Sequence, residues 1–217
     1  MDLSYLDEID FQPGASESEI EPDESRVADT AMPSGRSEFW AANMKYHYRR
    51  AFSELELLDT VGYPDFRFEH GHSYNFLTKG DVDAVSFIKL ILRYQDITEC
   101  IISSWCARLE DFKQLKLWVD KGSIGKADIY LGRRDLFSGR GEVLKFRDCI
   151  KDTPGITLSI FNNHTKITTG YGDSFQFVIQ SSANINTNTR LEQTVISIDD
   201  QGYSFYRDFF KTVKSIV

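Results

Sequence analysis

The chain lacks several features that would assign it a class at once. Of 217 residues only three are cysteines, Cys100, Cys106 and Cys149, an odd set without C-x-x-C spacing. That argues against a disulfide framework or a zinc site, and sets the expectation of a reducing, cytoplasmic location. No apolar run approaches the ~18–20 residues needed to cross a bilayer, so no membrane association is expected. The first residues, MDLSYLDEIDF, are acidic where a secretory signal is basic and then apolar. Glycine and proline are modest at 14 and 5 residues while aromatics reach 13%, which excludes collagen-like and wholly disordered classes. There is no G-x-S-x-G, so Ser103, Ser104 and Cys106 are not a nucleophile elbow. No internal repeat is visible. What remains is enough chain for one core-forming domain with a tail.

A surplus of basic charge is also missing: 25 basic against 33 acidic residues leave −8, which taken whole argues against a polyanionic partner. The charge is unevenly placed. Residues 1–40 hold 11 of the acidic positions and two basic ones, a net −9, so residues 41–217 keep 23 basic and 22 acidic positions, a net +1. From Gln12 to Ser37 the chain is rich in Ser, Glu, Asp, Pro and Gly, a composition that predicts disorder because too little apolar surface offsets the ordering entropy. Residues 1–36 are therefore an acidic tail, whose Leu3, Tyr5, Leu6, Ile9 and Phe11 could dock on a protein partner or on the chain's own domain.

Residues 37–64 form a helical extension, with a helix from about Ser37 to Leu58 stopped by Val61-Gly62-Tyr63-Pro64. Residues 65–217 alternate strand and helix patterns. Strands are predicted over His72–Thr78, Ile97–Trp105, Ala127–Leu131, Ile156–Phe161, Phe175–Ile179 and Leu191–Ile198. Helices are predicted after Gly80-Asp81, over about Leu109–Asp120, over about Gly141–Lys151 and over Tyr203–Val217, the last with a stripe of Phe205, Phe209, Val213 and Ile216. This order implies an α/β domain whose sheet is largely parallel, the late strands pairing antiparallel, with helices on both faces.

The chemistry concentrates in two stretches. Asn162-Asn163-His164-Thr165-Lys166-Ile167 is followed by Gln180-Ser181-Ser182-Ala183-Asn184-Ile185-Asn186, and then by Arg190-Leu191-Glu192. At i and i+2 on extended chain, His164 and Lys166 share a face, as do Ser182 and Asn184. An ammonium, a hydroxyl and an amide at the ends of buried strands suit a phosphate, with His164 as nucleophile or proton carrier and Glu192 to orient it.

At these residues the sequence resembles the phospholipase D superfamily and its H-x-K-x4-D-x6-G-S-x-N signature. His164-x-Lys166 matches the beginning and Ser182-x-Asn184 the end, and Glu192 matches the acid that follows in single-motif nucleases of the superfamily. Lys166 and Asn184 are 18 positions apart where the pattern has 15, Ser181 stands for the glycine, and Tyr171 stands for the aspartate, with Asp173 two places late. A longer hairpin through Gly170-Tyr171-Gly172 accounts for the added length.

The resemblance implies a phospholipase D-like mixed sheet and a metal-independent phosphodiesterase that needs no cofactor. One His attacks phosphorus and a second protonates the leaving oxygen. Only one H-x-K is present: His72 has Tyr74 two places on and His47 has Arg49. The family's small nucleases bring two copies together, so a homodimer contributing two sets of His164, Lys166, Asn184 and Glu192 is expected. DNA or RNA is the expected substrate class, with Arg133, Arg134, Arg140 and Lys145 as candidate backbone contacts. The interleaved Asp135, Glu142, Asp148 and Asp152 allow instead an ordinary solvated face. Two alternatives stand beside the nuclease: a catalytically decayed nucleic-acid-binding module of the same fold, and a protein-interaction module that recruits partners through its tail.

Overall fold

The computed structural model describes residues 45–51, 53–60, 67–79, 82–133, 142–185 and 190–215. The acidic tail, the beginning of the expected helix at 37–44, and Arg134 and Arg140 lie outside the described residues. Eight strands form one mixed sheet: β1 Lys45–Ala51, β2 His72–Thr78, β3 Ile97–Ser104, β4 Ile124–Gly132, β5 Ile156–Phe161, β6 Ile167–Tyr171, β7 Gln176–Ser181 and β8 Glu192–Ile198. Their order is β1-β2-β8-β7-β6-β3-β4-β5. The helices are α1 Glu54–Thr60, α2 Ala84–Leu92, α3 Leu109–Asp120, α4 Glu142–Ile150 and α5 Asp200–Thr212.

The pairings β1–β2, β3–β4 and β4–β5 are parallel, and β2–β8, β8–β7, β7–β6 and β6–β3 are antiparallel. The sheet is thus mixed rather than largely parallel. Helical crossovers supply the parallel pairs, while the short connection from β6 to β7 can only close an antiparallel hairpin. Side chains alternate across each strand. On β3, Cys100 and Ile102 join the main core with Leu57 of α1, Phe87 of α2, Phe112 of α3 and Phe146 of α4. Ile101 faces the other way and packs with Tyr130, Phe161 and Phe210 of α5. Helices therefore cover both faces, four on one and α5 on the other.

Two expectations need correction. The helix predicted through Leu58 is β1 over Lys45–Ala51 followed by the short α1. As an edge strand paired only to β2, β1 does not need the apolar run that marks a central strand. The last helix starts at Asp200, capped by the Asp199 side chain, and ends at Thr212 instead of Val217. Val213 is extended, and Ser215 Oγ accepts a 2.9 Å hydrogen bond from Ile160 N on edge strand β5. The buried face of α5 is Tyr203 and Phe210, flanked by Tyr206 and Val213, while Phe205 of the expected stripe is exposed.

Candidate functional site

The carboxyl ends of β3, β4, β5 and β7 and the amino ends of β6 and β8 meet at one edge of the sheet. The His164–Lys166 turn joins β5 to β6, Ser182 and Asn184 follow β7, and Glu192 opens β8. His164, Lys166, Ser182, Asn184 and Glu192 are thereby gathered at one end, where open α/β sheets place their ligands.

The turn is held from below by Asn163, a residue that the sequence did not single out. Its buried amide nitrogen donates to Ser103 Oγ at 2.9 Å, Tyr130 O at 3.1 Å and Ser104 O at 3.2 Å. Its Oδ1 accepts from Thr165 N at 2.9 Å and Thr165 Oγ1 at 2.7 Å, and Thr165 Oγ1 lies 2.6 Å from Ser103 Oγ. Bonding its own backbone two residues on makes Asn163 an Asx turn, which sends His164 outward. Gly132 at the end of β4 makes room for this arrangement: a Cβ there would stand 2.6 Å from Asn163 O and from Trp105 O.

His164 is exposed, and its ring lies against that of Trp105 with centroids 5.0 Å apart and planes at 48°. Trp105, the last residue of the strand predicted over Ile97–Trp105, therefore forms a wall of the site. Lys166 Nζ donates to His164 O at 2.9 Å and lies 3.4 Å from His164 Nδ1. An ammonium has no lone pair, so this approach leaves Nδ1 as the acceptor and the proton of the neutral ring on Nε2. Burial holds the Lys166 ammonium below the usual lysine value, opposed by the pull of Cys106 and Glu192 nearby.

Ser182 faces Glu192: its hydroxyl donates to Glu192 Oε2 and accepts from Gln193 N at 2.9 Å. The acid expected to orient His164 thus engages Ser182, and the hydroxyl expected to donate to phosphate is already committed. Asn184 Oδ1 lies 3.5 Å from Ser104 Oγ, which also donates to Cys106 O at 2.8 Å and accepts from Ile185 N at 3.1 Å. Ser104 so ties the end of β3 to the loop after β7. Asp173, the nearest stand-in for the signature aspartate, lies in the β6–β7 turn. That is the far end of β6 from His164, ~15 Å along the strand. The expected longer hairpin is present, Tyr171 pairing with Gln176 across residues 172–175.

Of the proposed backbone contacts, Arg133 follows β4 directly and is exposed, while Lys145 on α4 donates to Glu142 at 2.9 Å. Lys151 is likewise paired, to Asp148 at 2.8 Å. Among the described residues, no helix is long and apolar enough to cross a membrane.

No protein-family model and no curated protein matches the chain. Among solved structures, TrmBL2, an archaeal chromatin protein that binds DNA, is similar at 16% identity with a TM-score of 0.44, covering 73% of this chain and 57% of that one. The polyphosphate kinase of Porphyromonas gingivalis is similar at 12% identity with a TM-score of 0.48, covering 73% of this chain and 27% of that one. The chain thus spans about half of the first and a quarter of the second.

Proposed function

We propose that the protein is a metal-independent phosphodiesterase of the phospholipase D type, a nuclease that acts as a homodimer through a covalent phosphohistidine. The observation that carries this reading is the convergence of His164, Lys166, Ser182, Asn184 and Glu192 from three separate segments onto one edge of the sheet, with the Lys166 ammonium 3.4 Å from the His164 ring. In the proposed reaction the exposed His164 ring exchanges its proton through solvent from Nε2 to Nδ1, Lys166 Nζ turning from Nδ1 to the phosphoryl oxygens, and the Nε2 lone pair attacks phosphorus. An N–P bond forms, the P–O bond to the leaving group breaks, and His164 of a second copy gives that oxygen its proton. Water, giving a proton back to His164 of the second copy, then attacks phosphorus, and the N–P bond breaks to regenerate the first imidazole. The two Lys166 ammonium groups and the Asn184 amides offset the negative charge that builds on the phosphoryl oxygens.

A second reading, a phosphate-binding module without turnover, is favoured by one feature. Glu192 is bonded to Ser182, so among the described residues no acid is hydrogen-bonded to the imidazole to hold it in the tautomer that attack requires. Hydrolysis of a chromogenic phosphodiester separates the two. The first predicts turnover that a chelator leaves intact and that His164→Ala abolishes; the second predicts saturable phosphate binding, weakened by Lys166→Ala, with no turnover.

A further inference from the structure

The edge of the sheet that carries the site continues into a groove of about 470 Å³ lined by Arg49, Arg50, Asn75, Phe76, Leu77 and Gln193. Among the described residues the lining is two cations, two amides and two apolar side chains, with no acid. Arg50 is exposed and makes no ion pair among the described residues. Several cations elsewhere on the fold are neutralised locally, as Lys126 is by Glu99 and Asp128, and Lys89 by Glu54.

Strand register ties the groove to the site. Arg50 pairs with Leu77, Leu77 pairs with Gln193, and Gln193 exchanges two backbone hydrogen bonds with Ser182, one to its hydroxyl and one from its N–H, both 2.9 Å. Arg50 and Ser182 therefore stand in one row across four adjacent chains, three spacings or ~14 Å apart. Guanidinium groups grip phosphate bidentately, and Leu77, 37% exposed, offers apolar surface to the face of a base. The volume is that of a pocket for one drug-sized ligand, which a nucleotide is and a duplex is not.

We propose that the Arg49–Arg50 groove is a strand subsite, which takes the nucleotides of an unpaired polynucleotide on one side of the phosphate held at His164 and Lys166. The proposal rests on the phosphodiesterase reading of that site and adds to it the substrate class, single-stranded nucleic acid, and the direction in which the strand leaves.

The test is binding of a labelled single-stranded oligonucleotide of about 20 nucleotides to the full chain, by fluorescence anisotropy across a salt series, in wild type and in a His164→Ala background. Arg50→Glu is expected to weaken binding about tenfold at low salt and to reduce the salt slope by about 1, with Arg50→Lys retaining most of the affinity. The loss should grow with strand length from a dinucleotide upward, and a blunt duplex should bind less tightly than the single strand. Binding by Arg50→Glu equal to wild type overturns the proposal. So does failure of the wild type to bind any single strand at low salt while it binds an acidic peptide, or a preference for duplex. Thermal unfolding at the wild-type temperature certifies that each variant is folded. Absent phosphodiester turnover with Arg50-dependent binding intact would remove the catalytic reading and leave the subsite. Turnover intact with binding indifferent to Arg50 would do the reverse.

Discussion

Lys166 carries the positive charge at the centre of the proposed site, and its surroundings make that charge pH-sensitive. Burial lowers its proton affinity, so its charge disappears at a lower pH than that of a free lysine, ~10.4. An uncharged amine cannot neutralise a phosphate, so affinity for inorganic phosphate should fall as pH rises through the lowered value. Calorimetric titration from about pH 7 to pH 10 should show this alkaline limb in wild type, and Lys166→Arg should lose it, since a guanidinium stays charged throughout. An alkaline limb that persists in Lys166→Arg would place the titrating group elsewhere. Asn163 marks what was hidden at this scale. Its two bonds from Thr165 are local, but the three to β3 and β4 arise only when strands distant in sequence come together. His164 and Lys166 were legible because spacing alone puts them on one face; the partner of Glu192 was not, because several acceptors and donors crowd the same edge.

Among the elements, α3 begins on a buried carboxyl. Asp111 accepts from Arg108 N at 2.7 Å and so caps the helix, yet it is buried. Burial, with the charge of Asp83 nearby, pushes its carboxyl up to about 6 from the ordinary 3.8, against the pull of the Arg108 hydrogen bond. A folded-state value above the unfolded one means that the native protein binds the proton more tightly. The corresponding stability is present at low pH and lost as pH rises from 3.8 through about 6. Asp111→Asn keeps an acceptor for Arg108 N without the buried charge. It should be more stable than wild type by roughly 2 kcal/mol at pH 8, and by much less near pH 4, in denaturant unfolding. An equal difference at both values would contradict this origin. Legibility at this scale followed burial. Strands β3 and β7 announced themselves through apolar, β-branched runs because the interior covers both faces over most of their length. The sequence of β6, Ile-Thr-Thr-Gly-Tyr, buries Thr168 and Thr169 and gives no such run, although Thr169 Oγ1 finds Phe177 O at 2.9 Å. β1 reads as a helix because its Tyr, His and Arg residues sit at an edge, where the alternation of apolar and polar is weak.

For the whole molecule, the account depends on how many copies form the site. A single chain presents one His164, and the proposed reaction needs one imidazole to attack and another to protonate. Size-exclusion chromatography with light scattering at micromolar concentration should give twice the 24.9 kDa chain mass. A stable monomer at that concentration would contradict the composite site. The charge distribution fits a body that approaches a polyanion without a strong field of its own: residues 41–217 carry +1, and Lys145 and Lys151 are each paired to an acid three residues away. Affinity should therefore come from a few local contacts rather than from a broad basic face.

The most direct measurement is at His164 itself. Full-length protein mixed with a phosphodiester substrate, quenched within a turnover into alkali, where phosphohistidine survives, and analysed by peptide mass spectrometry should carry the phosphoryl adduct on the peptide containing His164. The adduct should be absent in His164→Ala and should accumulate when hydrolysis of the intermediate is slowed. Turnover of substrate with no adduct on His164, or with the adduct on another residue, would contradict the covalent mechanism proposed here.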